Sequence, residues 1–194
     1  MSDHTAPLKE LKSAIHKMAG DEAAEEIMLD YESLRGVTDS AKVAHWVKGA
    51  MEHMDQLLPV ETRSKIMVEC GRNCARMNSE TIDQALERRA KYDSLEEFLD
   101  AEIRTPMRGV KTEYKDSVID YYYLPQSYMK GLRCYCSLVQ DLPADETISP
   151  TYCNCSKGYV TTYWEKVTGR PVEVELMESA VSGSDRCWFR IRIR

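Results

Sequence analysis

The feature that most constrains this chain is a change of hydrophobic period. Up to Ile103 apolar residues recur at three and four, and beyond Thr105-Pro106 they begin to alternate. Leu8, Leu11, Ile15 and Met18 form one helical stripe ended by Gly20. Ile27, Met28, Tyr31 and Leu34 form a second, stopped at Gly36. Val43, Val47, Ala50, Met51, Met54 and Leu58 form a third, ended by Pro59. Ile66, Cys70, Cys74 and Met77 continue at the same spacing, a further helix opens at Ser79, and Ser94 with Glu97 is a capping box for a last one. After the break, the run Val118 to Leu124 and the alternation Leu132, Cys134, Cys136, Leu138 read as strands, and residues 141–150 as a loop. Ser156 reads as the N-cap of a helix carrying Val160, Tyr163, Trp164 and Val167 and stopped by Gly169. Two strands follow, from Pro171 and from Cys187. The expectation is an α+β protein with a helical N-terminal part, residues 1–104, packed on a small antiparallel sheet. Residues 105–194 supply that sheet, a late helix and a C-terminal β-hairpin, and the two parts form one integrated unit.

Composition narrows the function. With 194 residues, 43% apolar and 30% charged, the chain is an ordinary globular one, and its net charge of −6 disfavours nucleic acid as a partner. No apolar run approaches the roughly 20 residues a membrane span needs, and the N-terminus lacks the apolar core of a signal peptide. A cytoplasmic location is the default. Seven cysteines, an odd number, favour free thiols or metal thiolates over a disulfide framework. Eleven Tyr against two Phe suit a pocket with apolar walls and polar tips, or a half-exposed sheet face.

The last quarter concentrates the chemistry. Alternation places Glu178 inward with Val172, Val174 and Leu176, where an unpaired carboxylate is costly. Either the strand has already ended, or a basic residue pairs with it, or a metal binds it. Cys187 takes the inward register of the facing strand, and Cys153 and Cys155 lie at the start of the late helix. Cys153, Cys155, Glu178 and Cys187 together would make a tetrahedral zinc site. The plain alternative is small buried cysteines beside a frayed strand. Cys134 and Cys136 read as core packing that could line the same pocket, and Cys70 and Cys74 as core filling. His4, His16, His45 and His53 have no metal-type spacing and read as surface or interface residues. No phosphate-binding loop, dinucleotide fingerprint, nucleophile elbow or H-E-x-x-H occurs.

The string from Cys153 to Ile193 resembles the C-terminal half of 4-vinyl reductase domains. Cys155, Gly169, Val172, Val174, a glutamate, Gly183 and Cys187-Trp188-Phe189 carry the resemblance. It implies a small-molecule-binding module in which Cys155, Glu178 and Cys187 hold structural zinc. The family's turn cysteine is Val181 here, so Cys153 would have to replace it, and Glu175 competes with Glu178 for the glutamate position. A weaker similarity is to L-2-amino-thiazoline-4-carboxylate hydrolase-like proteins. The leading expectation is a small organic ligand held near Tyr121, Tyr123, Cys134 and Cys136, beside zinc. The rival is a small-molecule hydrolase using Cys155 or a metal-bound water, and the third reading is a homodimerising domain without a ligand.

Overall fold

The computed structural model describes residues 5–194, so His4 lies outside the described residues. The helical stripes fold as expected except the second, whose helix ends at Ile27, with Tyr31 and Leu34 on a separate 3-10 turn (Tyr31–Leu34) after the left-handed Asp30. Helices α1 (Thr5–Ala19), α2 (Asp21–Ile27), α3 (Ser40–Leu57) and α4 (Val60–Met77) bury Leu8, Leu11, Ile15, Ile27, Val43, Val47, Met51, Met54 and Ile66 in a first core. Asp39 caps α3 by accepting from the amides of Ala41 and Lys42. Helices α5 (Ser79–Arg89) and α6 (Leu95–Arg104) follow, and the Ser94–Glu97 capping box that opens α6 is formed in both directions.

Four antiparallel strands make one sheet in the order β1-β2-β4-β3, with β1 Val110–Lys115, β2 Val118–Tyr123, β3 Val172–Glu178 and β4 Cys187–Ile193. The inward face carries Ile119, Tyr121, Val174, Cys187, Phe189 and Ile191, which join Phe98, Leu99, Val160, Tyr163, Trp164 and Val167 in a second core. The outward face is solvated and charge-balanced. Arg190 pairs with Asp120, Arg192 with Glu175 and Arg194 with Glu173.

Helix α8 (Pro150–Thr168) separates the two cores, lying on α4 along one side and on β3 and β4 along the other. It begins six residues before the expected cap. Pro150 stands at its first position and Ser149 caps it, accepting from the Thr151 amide at 3.1 Å. The Thr151 hydroxyl donates to Asp55 at 2.6 Å, and Asp55 faces Arg63 of α4 at 3.3 Å, so the first turn of α8 is tied to both α3 and α4.

Residues 132–138 are not a strand. After the single turn α7 (Pro125–Tyr128), residues 129–149 contain neither helix nor strand. The alternation seen in the sequence is real as burial, with Leu132 and Cys134 inside and Tyr135 outside, but no strand of the sheet pairs with it. Among the described residues no helix is long and apolar enough to cross a membrane.

Candidate functional site

The seven cysteines are all free. They converge where α4, the start of α8, the start of β4 and the 129–149 segment meet. The closeness of α4 and α8 makes this possible. A Cβ at Gly71 would collide with the carbonyl of Cys155, and one at Gly158 with the carbonyl of Val68. With Gly71 seated against the backbone of α8, its neighbours Cys70 and Cys74 are brought beside Cys155.

The thiols influence one another. Burial lifts the Cys155 pKa well above its ordinary value, and the neighbouring sulfurs of Cys136, Cys70, Cys74 and Cys153 raise it further. Burial pushes Cys70 up to about 12, with Glu10, Glu69 and Cys74 adding to the effect. Cys74 is raised by burial and by Cys136. Cys134 is raised by burial and then by Cys136, Cys153 and Cys187. Cys153 is pushed up by burial to about 12, partly offset by its 2.8 Å contact with the Ser179 hydroxyl. Cys136, 3.0 Å from the Tyr152 hydroxyl, and Cys187 are raised by burial too. At neutral pH the neighbourhood is therefore a set of protonated, uncharged thiols.

An aromatic wall adjoins it. Tyr121 and Tyr123 contact edge to face at 5.4 Å, Tyr121 meets Trp164 at 5.4 Å, and Tyr123 meets Phe189 at 5.4 Å and Tyr135 at 5.5 Å. Burial raises Tyr123 well above the ordinary phenol value, with Tyr159, Tyr163 and Cys187 contributing. Of the four residues expected near one pocket wall, Cys134 and Cys136 lie among the thiols and Tyr123 adjoins Cys187, whereas Tyr121 packs on Tyr163 and Trp164.

The zinc expectation is overturned. Among the described residues no group of three or more His, Cys, Asp or Glu side chains is arranged to hold a metal ion. The strand-parity argument for Glu178 fails at a β-bulge. The register slips between Leu176 and Glu178, so Glu178 stands opposite Trp188 instead of Cys187. On that face its carboxylate accepts from Arg186 Nε at 2.9 Å and Nη2 at 3.1 Å, which lowers its pKa. Pairing with a basic residue is the remedy the fold adopts. Cys153, Cys155 and Cys187 do share a neighbourhood, without Glu178. The hydrolase alternative falls as well, because burial keeps Cys155 protonated and disfavours it as a nucleophile.

Three groups of residues have a part that the sequence did not reveal. Cys70 and Cys74 belong to the thiol neighbourhood, and the glycine between them on the inward stripe was the available signal. Tyr152 presents its hydroxyl to Cys136. His45 and Glu146 join α3 to the 129–149 segment across about a hundred residues of chain, and no local pattern announces such a pair.

Comparison with known proteins corrects the resemblance. No curated protein matches the chain. An H-NOX protein from S. oneidensis in the Fe(II)NO ligation state is similar in structure, at 12% identity over 97% of each chain, with a TM-score of 0.50. An H-NOX domain from Shewanella oneidensis in the Fe(II)CO state aligns at 11% identity over 97% of each chain, with a TM-score of 0.47. A further H-NOX structure, concerned with heme distortion, aligns at 12% identity over 97% of this chain and 94% of that one, with a TM-score of 0.46. Likeness at such identity concerns the fold alone. Neither 4-vinyl reductase domains nor thiazoline-carboxylate hydrolases are among these relatives. The family model that matches, over residues 4–194, is that of DUF6144, a family of unknown function, and the chain belongs to that family.

Proposed function

We propose that this protein is a small-molecule-binding domain whose ligand is uncharged and soft, and seats among the thiols beneath the 129–149 segment. The convergence of seven protonated cysteines from four parts of the chain is the observation that carries this reading. A carboxylate placed there would lose its hydration without gaining a cationic partner, since the surrounding groups are thiols and phenols. Polarizable sulfur and aromatic walls favour an apolar or thiophilic molecule. A segment this long without regular structure inside a compact fold is more often functional than not, and here it supplies Cys134 and Cys136 to the site. The similarity to an H-NOX protein with nitric oxide on its iron lends the same coarse support, a fold used to hold a small ligand.

Haem itself does not fit the residues present. It needs an axial donor facing a flat cavity. His16, at 60% side-chain exposure, pairs with Asp21 on the surface, His45 is exposed on α3, and His53 is not among the buried residues. The space between α8 and the sheet is filled by the rings of Tyr121, Tyr123, Trp164 and Phe189.

Phenylarsine oxide is an uncharged probe that condenses with two neighbouring thiols and releases one water. Native mass spectrometry of the reduced protein should show a one-to-one adduct at the charge states of the folded chain. The carboxylate-bearing analogue and haem should each give little or none. Equal binding of the charged analogue, a haem complex at one equivalent, or no adduct with the neutral probe would each overturn the reading.

A further inference from the structure

Residues 129–149 close over the thiol neighbourhood with little secondary structure to hold them. Leu132, Cys134, Leu138, Val139, Leu142 and Ile148 are buried, and the Ile148 amide donates to Val181 at 2.9 Å. Arg133 gathers the segment on itself, donating to the carbonyls of Pro143 and Glu146. The ion-paired attachment to the helical part is the Glu146 carboxylate, which accepts from His45 Nε2 at 2.9 Å and from Lys48 Nζ at 2.6 Å, both on α3.

The geometry at His45 favours its protonated form. Its Nδ1 lies 2.8 Å from the Ala41 carbonyl, and its Nε2 lies 2.9 Å from the Glu146 carboxylate. A carbonyl and a carboxylate can only accept, so this arrangement is best satisfied by an imidazolium with hydrogen on both ring nitrogens, which raises the His45 pKa. Loss of one proton breaks one of the two bonds and removes a cation from Glu146.

We propose that His45 and Glu146 form a pH-sensitive latch that holds the 129–149 segment shut over the thiol site. The latch rests on the reading of that site as a ligand-binding one, and it supplies the regulation. The other charged groups around it are Lys48 and Glu52 on α3 and Asp145 on the segment. The bond to Glu146, then that to Ala41, raises His45 above its ordinary 6.5. Lys48 and then His45 lower Glu146 below its ordinary 4.5. A raised histidine contributes fully below 6.5 and loses its contribution as pH rises through its folded value. A lowered carboxylate contributes fully above 4.5 and loses its contribution as pH falls through its folded value. The latch is therefore strongest between about pH 4.5 and 6.5, and weakens as the medium turns alkaline. Lys48 keeps a residual hold on Glu146 above that range.

The test is the rate of iodoacetamide alkylation at each cysteine, resolved by mass spectrometry, in the wild type and in His45→Gln. Taking the ratio of variant to wild type at each pH cancels the intrinsic dependence of thiolate on pH. At pH 5.5 the variant should react about two- to fivefold faster at Cys134 and Cys136. The ratio should fall toward one as pH rises and the wild type loses its imidazolium. Glu146→Gln should also speed these two positions at pH 5.5. Its effect should persist at high pH, where Lys48 has lost its anion. A ratio that does not change with pH would overturn the latch. So would acceleration shared equally by Cys70 on α4, which would signal general loosening. No ligand enters this measurement, so a pH-dependent ratio would stand even if the neutral probe failed to bind, and the two ideas fail separately.

Discussion

Gly71 and Gly158 are the residues on which the arrangement depends, because each faces a carbonyl of the opposite helix with no room for a methyl group. Gly71→Ala and Gly158→Ala should each destabilise the protein by about 2–3 kcal/mol, as overpacking of a close helix contact does. Urea unfolding followed by circular dichroism measures this, and an unchanged midpoint would show that α4 and α8 do not approach as closely as described. Residue identity told part of the story in advance. Cys153, Cys155 and Cys187 were legible as neighbours because each sits at the mouth of a well-marked element. Glu178 was misplaced because a β-bulge is a backbone event, and the alternation of side chains gives no notice of it until the register is seen. Cys70 and Cys74 were read as filling for a helical stripe, which they are. The stripe alone does not say that it faces the helix carrying Cys155.

At the level of elements, α8 does the organising. Its first turn holds Cys153, its second Cys155, and its middle buries Val160, Tyr163 and Trp164 against the sheet. The cap at Ser149 fixes where that turn begins. Ser149→Ala should cost about 1 kcal/mol of stability, through an amide left without its acceptor. The loss should appear as faster hydrogen exchange confined to residues 151–153, and protection unchanged there would count against the cap. This start was missed because Asp141 to Pro150 is rich in polar residues and proline, which reads as loop, while Pro150 is also well placed as the first residue of a helix. Strand β1 was missed for a related reason. Its sequence, VKTEYK, is mostly polar because Lys111, Glu113 and Lys115 face water at the edge of the sheet. The helical half was more legible, since each stripe there had a cap or a stop of its own.

Across the whole molecule, the two cores meet along α8, and the thiols lie at that junction, covered by the segment that Glu146 fastens to α3. The fold is similar to that of H-NOX proteins at a distance, and among the described residues the interior presents sulfur and phenol groups. The proposed ligand is neutral and soft, and the proposed latch on the 129–149 segment responds to proton concentration. Mapping which cysteines one equivalent of phenylarsine oxide protects from alkylation in the folded protein decides whether the thiols act as a site or as packing. Cys136 on the covering segment raises the pKa of Cys155 on α8, and this pair should be protected together while Cys187 stays reactive on unfolding. Protection of no pair, or of a pair that excludes both Cys136 and Cys155, would mean that these cysteines only fill the core.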